Sequence, residues 1–127
     1  DRTKEIGKNG EALYTWGGRE YYVEPPSYSK KYKRHMTYEY KLLNYLVQGS
    51  AADATKEAII RWHDHPKRDA RFLVTVYDEI NISAKTAKVK PQMEILRECM
   101  EGLEFDVPML SDGKTGKSWG SLTKYKD

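Results

Sequence analysis

A chain of 127 residues with 32% charged and 12% aromatic residues, ten of them Tyr, is too aromatic for a disordered polymer and too polar for a membrane protein. Its net charge of +3 is mild, its single cysteine, Cys99, excludes an internal disulfide, and no apolar run approaches the roughly 20 residues of a transmembrane helix. The expectation is one domain, or part of one, in a reducing compartment and away from membranes.

Residues 1–9 are polar and read as a frayed end or as the continuation of an element begun elsewhere. The opening Asp1-Arg-Thr-Lys-Glu5 has no initiator Met and leads into no apolar stretch for a dozen residues, so no signal peptide is expected, and a processed or partial chain is. Gly10–Trp16 and Arg19–Val23, separated by Gly17-Gly18, predict a hairpin in which the glycines supply the positive φ of a two-residue turn. Pro25-Pro26 ends it. Ser27–His35 then carries Lys30, Lys31, Lys33, Arg34 and His35 with no acid, interleaved with tyrosines. That composition suits phosphate contacts with stacking nearby, and equally a solvated basic loop before a helix.

Thr37 is the predicted N-cap of a long helix ending near His65. Leu42, Leu43, Leu46, Val47, Ala51, Ala54, Ala58, Ile59 and Trp62 recur by threes and fours and predict a core-facing stripe. Asn44 and Gln48 lie one turn apart on another face, continued by Ala52 and Thr55. Gly49-Ser50-Ala51-Ala52 falls mid-helix, where glycine costs roughly 1 kcal/mol against alanine. Something bulky close to that face would explain it: either a duplex minor groove, whose N3 and O2 acceptors suit side-chain amides, or another element of the fold. His63 and His65 share no helix face and precede Pro66, so they read as cations at the helix C-terminus rather than metal ligands.

Phe72–Val76 and the alternating Ile80, Ile82, Ala84 predict an antiparallel hairpin with Asp78 and Glu79 at its tip. Hard carboxylate oxygens held there suit Mg²⁺; a solvated acidic turn is the plain alternative. Pro91 is expected to open a second helix with Met93, Leu96, Met100 and Leu103 on one face, closed by Gly102, and with Cys99 packed beside them. Phe105–Leu110 reads as a short strand, and Ser111–Gly120 as a Gly/Lys-rich loop holding Trp119. Gly113-Lys114-Thr115 lacks the first glycine of a P-loop.

Asn44-Tyr-Leu-Val-Gln48-Gly-Ser-Ala-Ala-Asp53, followed by Val76-Tyr-Asp-Glu79, resembles the C-terminal palm of family A DNA polymerases. The family pattern there is Asn-x-x-x-Gln-Gly-[Thr/Ser]-Ala-Ala-Asp, then Val-His-Asp-Glu in the hairpin called motif C. Thr15-Trp-Gly-Gly18-Arg19-x-x-Tyr22 is similar to the family's Thr-x-x-Gly-Arg-Arg-x-Tyr hairpin. Asp106-Val-Pro108-x-Leu110 and Gly116-x-x-Trp119 resemble its closing strand and tail, so the similarity spans nearly the whole chain. It departs at Tyr77, where the family has histidine, and at Tyr40, where it has arginine.

The resemblance implies an α+β fold, a partial polymerase palm of antiparallel β-hairpins packed against a long helix and a second helix. Residues 1–127 would form one C-terminal palm segment, of phage type, without motifs A and B. It implies DNA-directed DNA polymerisation by two Mg²⁺ ions about 4 Å apart. Asp78 would bind metal and Glu79 support it. Asn44 and Gln48 would contact the primer–template minor groove, Tyr77 would lie near the primer end, and Arg34, His35 and Arg19 would hold backbone phosphates. Implied partners are primer–template DNA, a dNTP and a second polypeptide with the remaining palm, fingers and thumb, without which the chain would be inactive. The setting would be cytoplasmic, the host cytoplasm if viral. A non-catalytic duplex-binding module and a plain interaction domain are the competing readings.

Overall fold

The structure, a computed structural model, describes residues 2–126, which gather into two compact units divided between Ala54 and Thr55. Helix α1 (Arg2–Lys8) forms where a frayed end or the continuation of an element was expected. It stops at Gly10, whose φ of +70° lets Gly10 N donate to Gly7 O and Glu11 N to Ile6 O, the Schellman arrangement. Gly7 faces Leu42 so closely that a Cβ there would meet Leu42 Cδ1 at 2.7 Å.

Strands β1 (Leu13–Tyr14) and β2 (Glu20–Tyr21) form the first expected hairpin, with a different turn. Gly18 N donates to Thr15 O, and Thr15 N donates to Arg19 O. Of the two glycines only Gly18 has positive φ, +82°, so this is a three-residue loop with a left-handed third residue rather than a two-residue turn. The expected basic loop is also a hairpin: β3 (Ser27–Ser29) pairs with β4 (Arg34–Met36), with Tyr28 opposite His35 and Ser29 opposite Arg34. Lys33 closes its turn at φ +49°.

A 3-10 turn over Glu39–Lys41 delays helix α2 (Leu42–Asp64), so Thr37 is not its cap. In the first unit the buried side of α2 runs through Leu42 and Gly49, while Leu43 and Val47 are 50% and 61% exposed. The predicted stripe therefore merged two faces. A Cβ on Gly49 would sit 2.8 Å from Thr15 Cγ2 and 3.0 Å from Tyr21 Cε2, and Ser50 Oγ accepts from Trp16 N. What lies against the glycine is the β1–β2 hairpin, the protein alternative, and Tyr21 stacks on Tyr45 beside it.

In the second unit, β5 (Ala70–Val76) pairs antiparallel with β6 (Glu79–Ala84). A bulge at Leu73 shifts the register between Phe72–Ile82 and Val74–Asn81. A 3-10 turn over Thr86–Lys88 leads into helix α3 (Val89–Glu101), so Pro91 is its third residue rather than its first. The buried face of α3 carries Gln92, Ile95, Leu96 and Cys99, so the expected Leu96 and Cys99 are buried, while the expected Met93 and Met100 lie half-buried at the edge of that face. Burial pushes the Cys99 thiol above its ordinary pKa, as expected for packing rather than nucleophilic use.

The second core gathers Ala58, Trp62, Ile80, Ile95, Leu96, Cys99 and Leu103. Trp62 is almost wholly enclosed, tilted against Phe72 at 6.4 Å. His65 Nδ1 accepts a hydrogen bond from Lys67 N at the helix end. The segment 105–110 forms no strand, since Pro108 cannot donate to a ladder. Strands β7 (Lys114–Thr115) and β8 (Thr123–Lys124) pair around an exposed Trp119. No described helix is long and apolar enough to cross a membrane.

Gln92 is the buried polar group the sequence did not advertise. Its Oε1 accepts from Asp69 N at 2.9 Å and its Nε2 donates to Lys67 O at 3.1 Å, fastening the α2–β5 connection to α3. Gln92→Leu keeps the volume but strands a backbone donor and an acceptor. It should cost about 1–3 kcal/mol, read as a lower urea midpoint at unchanged m-value. An unchanged midpoint would show that water satisfies both groups.

Candidate nucleic-acid interface and carboxylate turn

The β5–β6 ladder closes at the Val76–Glu79 pair, so its two-residue tip is Tyr77-Asp78, and Glu79 is the first residue of β6. The expected tip pair is thus displaced by one residue. Tyr77 has φ +54° and is 94% exposed. A positive φ at only the first central residue is the pattern of a type II′ turn, a position that favours glycine, and a bulky residue there costs on the order of 1–3 kcal/mol. The strained residue swings its ring into solvent and leaves the carboxylate beside it at the apex.

Asp78 is exposed, and its side chain makes no hydrogen bond or ion pair among the described residues. Glu79 is engaged: its Oε1 accepts from Asn81 Nδ2 at 3.0 Å and, at a long 3.4 Å, from Trp119 Nε1. The two acids are therefore unequal, one free and one held. No group of three or more His, Cys, Asp or Glu among the described residues is placed to hold a metal ion.

The remaining candidates fall in the first unit. Asn44 and Gln48 lie exposed one turn apart on α2, with no side-chain hydrogen bond among the described residues. Arg34 and His35, adjacent on β4, point to opposite sides of the hairpin. His35 meets Tyr28 edge-on at 5.4 Å. Both basic residues border a shallow depression shared with Met36, Thr37 and Tyr40.

Arg19 differs from the others because it already has a carboxylate partner. Its Nε and Nη2 donate to Asp53 Oδ1 at 3.2 and 3.1 Å. Asp53 Oδ2 accepts from the Thr15 hydroxyl and from Gly17 N, the latter at 3.2 Å. The Thr15 hydrogen bond above all, with Arg19 and the Gly17 amide, holds the Asp53 carboxyl below its ordinary pKa against the opposing effect of burial. Asp53 is thus a functional-site residue in the structural sense: one α2 carboxylate fixes the β1–β2 loop and aims Arg19. A Cβ at Gly17 would collide with that carboxylate at 2.8 Å, which explains the second glycine of the pair. The family pattern ends on Asp53, but the local sequence does not show what it holds, because its partners lie 34 to 38 residues away.

Comparison with known proteins covers nearly the whole chain. The sequence model of DNA polymerase family A matches residues 1–121. DNA polymerase I of Pseudomonas aeruginosa is 28% identical over 94% of this chain, and that of Bacillus subtilis is 30% identical over 94%. DNA polymerase theta of Caenorhabditis elegans is 29% identical over 96%. The chain spans only 13%, 14% and 8% of those relatives, respectively. Among solved structures, the POL domain of Pol1 from M. smegmatis, in complex with DNA primer-template and dNTP, superposes with a TM-score of 0.68 at 28% identity. That match covers 84% of this chain and 19% of the mycobacterial one. With the family model spanning almost every residue and a polymerase domain matching the fold, the chain belongs to DNA polymerase family A.

Proposed function

We propose that this chain is the motif C portion of a family A palm and contributes Asp78 as a metal-binding carboxylate for templated nucleotidyl transfer. The observation that carries the reading is the free carboxylate of Asp78 at the apex of a laddered hairpin, within a family match over residues 1–121. The donor chemistry fits a divalent ion: a hard oxygen donor, rigidly based and not engaged by any described side chain. It fits as one ligand of several, since no three candidate ligands cluster among the described residues. The other carboxylates and the nucleotide-binding residues belong to the remaining palm and fingers, supplied by a longer chain or a second polypeptide.

When bound, Mg²⁺ would supply charge neutralisation at the reacting phosphate and activation of the primer hydroxyl. The chain's own residues do the rest. Glu79, held by Asn81 and Trp119, fixes the backbone beside the metal ligand. Tyr77 offers its hydroxyl toward the primer end. Asn44 and Gln48 donate amides to minor-groove acceptors shared by all base pairs, which checks duplex shape without reading sequence. Arg34, His35 and the Asp53-aimed Arg19 take backbone phosphates. Exposed apolar side chains support burial against missing palm: Leu43 and Val47 in the first unit, Leu73, Val74 and Leu110 in the second.

The direct test is primer extension with and without the remaining polymerase. The chain alone should incorporate no nucleotide; extension should appear when the complementing portion is added and should require Mg²⁺. Metal-dependent extension by the isolated 127 residues would overturn the shared-site reading.

A further inference from the structure

We infer that the open end of the β5–β6 hairpin, opposite the Asp78 tip, is a second anion site that takes phosphates of a nucleic-acid backbone. A shallow cleft there is lined by Arg68, Asp69, Arg71, Ser83 and Lys85. Arg71 and Ser83 are cross-strand partners, so they share one face of the hairpin, and Lys85 follows at the end of β6.

Arg68 is locked in place. Its Nε donates to His63 O at 3.0 Å and its Nη1 to Ala70 O at 3.2 Å, and its guanidinium lies over the Trp62 ring at 5.3 Å. A guanidinium fixed this way loses little rotamer freedom on meeting a ligand, and Nη2 remains to donate. The Arg71 and Lys85 side chains have no hydrogen bond or ion pair among the described residues. Asp69, the one acid lining the cleft, pairs with none of the three cations.

Three uncompensated cations around a concavity, two of them forked, match tetrahedral phosphate oxygens with a hydroxyl beside them. The cationic run also continues. Lys88 and Lys90 are exposed just beyond Lys85, so the surface offers repeated positive charge, which suits a polyanion with regular spacing better than a single carboxylate. Seven residues of β5 at about 3.3 Å each separate the cleft from the tip by roughly 20 Å, so the two ends of the hairpin are distinct contacts.

The inference does not rest on the metal assignment, and its test reads different residues. An isotope-labelled chain is titrated with short oligothymidylate, with an oligoglutamate of equal charge, and with inorganic pyrophosphate, while amide signals are followed. The oligonucleotide should shift Arg71, Ser83 and Lys85 saturably. Arg71→Gln combined with Lys85→Gln breaks no contact seen in the structure. It should abolish those shifts, weaken binding about tenfold, and lower the slope of log affinity against log salt by about 1.4. Unmoved signals at those three residues would overturn the site. So would equal shifts with oligoglutamate, or shifts with pyrophosphate and none with the oligonucleotide. None of these outcomes touches the signals of Asn44, Gln48 or Tyr77–Glu79, so the reading of the tip stands or falls separately.

Discussion

In the completed polymerase, Asp78→Ala should lower the rate of single-nucleotide incorporation about a thousandfold while duplex affinity stays within about twofold. A metal ligand acts on charge that develops in the transition state, and losing several kcal/mol there at about 1.4 kcal/mol per decade gives that loss. The ground state loses nothing comparable, because an exposed carboxylate repels DNA phosphates and holds none. The side chain also has no hydrogen-bond or ion-pair partner among the described residues, so its removal should leave the unfolding midpoint unchanged. Rapid-quench incorporation on a primer–template separates these effects. An unaltered rate would mean that the apex is only a solvated turn.

Asp53→Ala should cost about 1–3 kcal/mol of stability at neutral pH. It strands the Thr15 hydroxyl and the Gly17 amide and leaves Arg19 without its partner. The pH dependence follows from the direction of the shift. A carboxyl that is more acidic folded than unfolded stabilises fully above the unfolded pKa near ~4, and that contribution fades as pH falls through the folded value. The gap in urea midpoint between wild type and Asp53→Asn should therefore be widest at pH 7 and narrow toward pH 3. A constant gap would show that packing, not charge, dominates. Loss of this carboxylate should also weaken DNA binding through Arg19, with Asn44 and Gln48 left in place.

The long periodic elements were legible because their signals are local. Leu42 through Trp62 repeats at helical spacing, Phe72–Val76 and Ile80–Ala84 are β-prone, and the runs around Asn44–Asp53 and Val76–Glu79 carry the family resemblance. What failed to show depends on partners distant in sequence. Gly49 looks the same whether DNA or Tyr21 lies against it; only the hairpin's placement decides. Gln92 reads as an ordinary polar helix residue until Lys67 and Asp69 come to it, and Asp53, though it closes the family pattern, gives no sign in sequence that Thr15 and Arg19 are its partners. The one-residue shift of the tip has another cause. Placing Tyr77 in the turn requires a left-handed backbone at an aromatic residue, which propensity argues against, and the Val76–Glu79 pair enforces it. Ser27–Met36 was hidden because its strands are only three residues long and the turn between them is rich in lysine.

Iron-directed cleavage tests the central claim most directly. Fe²⁺ replaces Mg²⁺ in the completed polymerase on primer–template, and ascorbate with peroxide generates radicals that cut the polypeptide beside the bound ion. The account requires a cut within residues 77–79 that excess Mg²⁺ suppresses and Asp78→Ala removes. Cleavage confined to other segments, or an undiminished cut in the alanine variant, would contradict it.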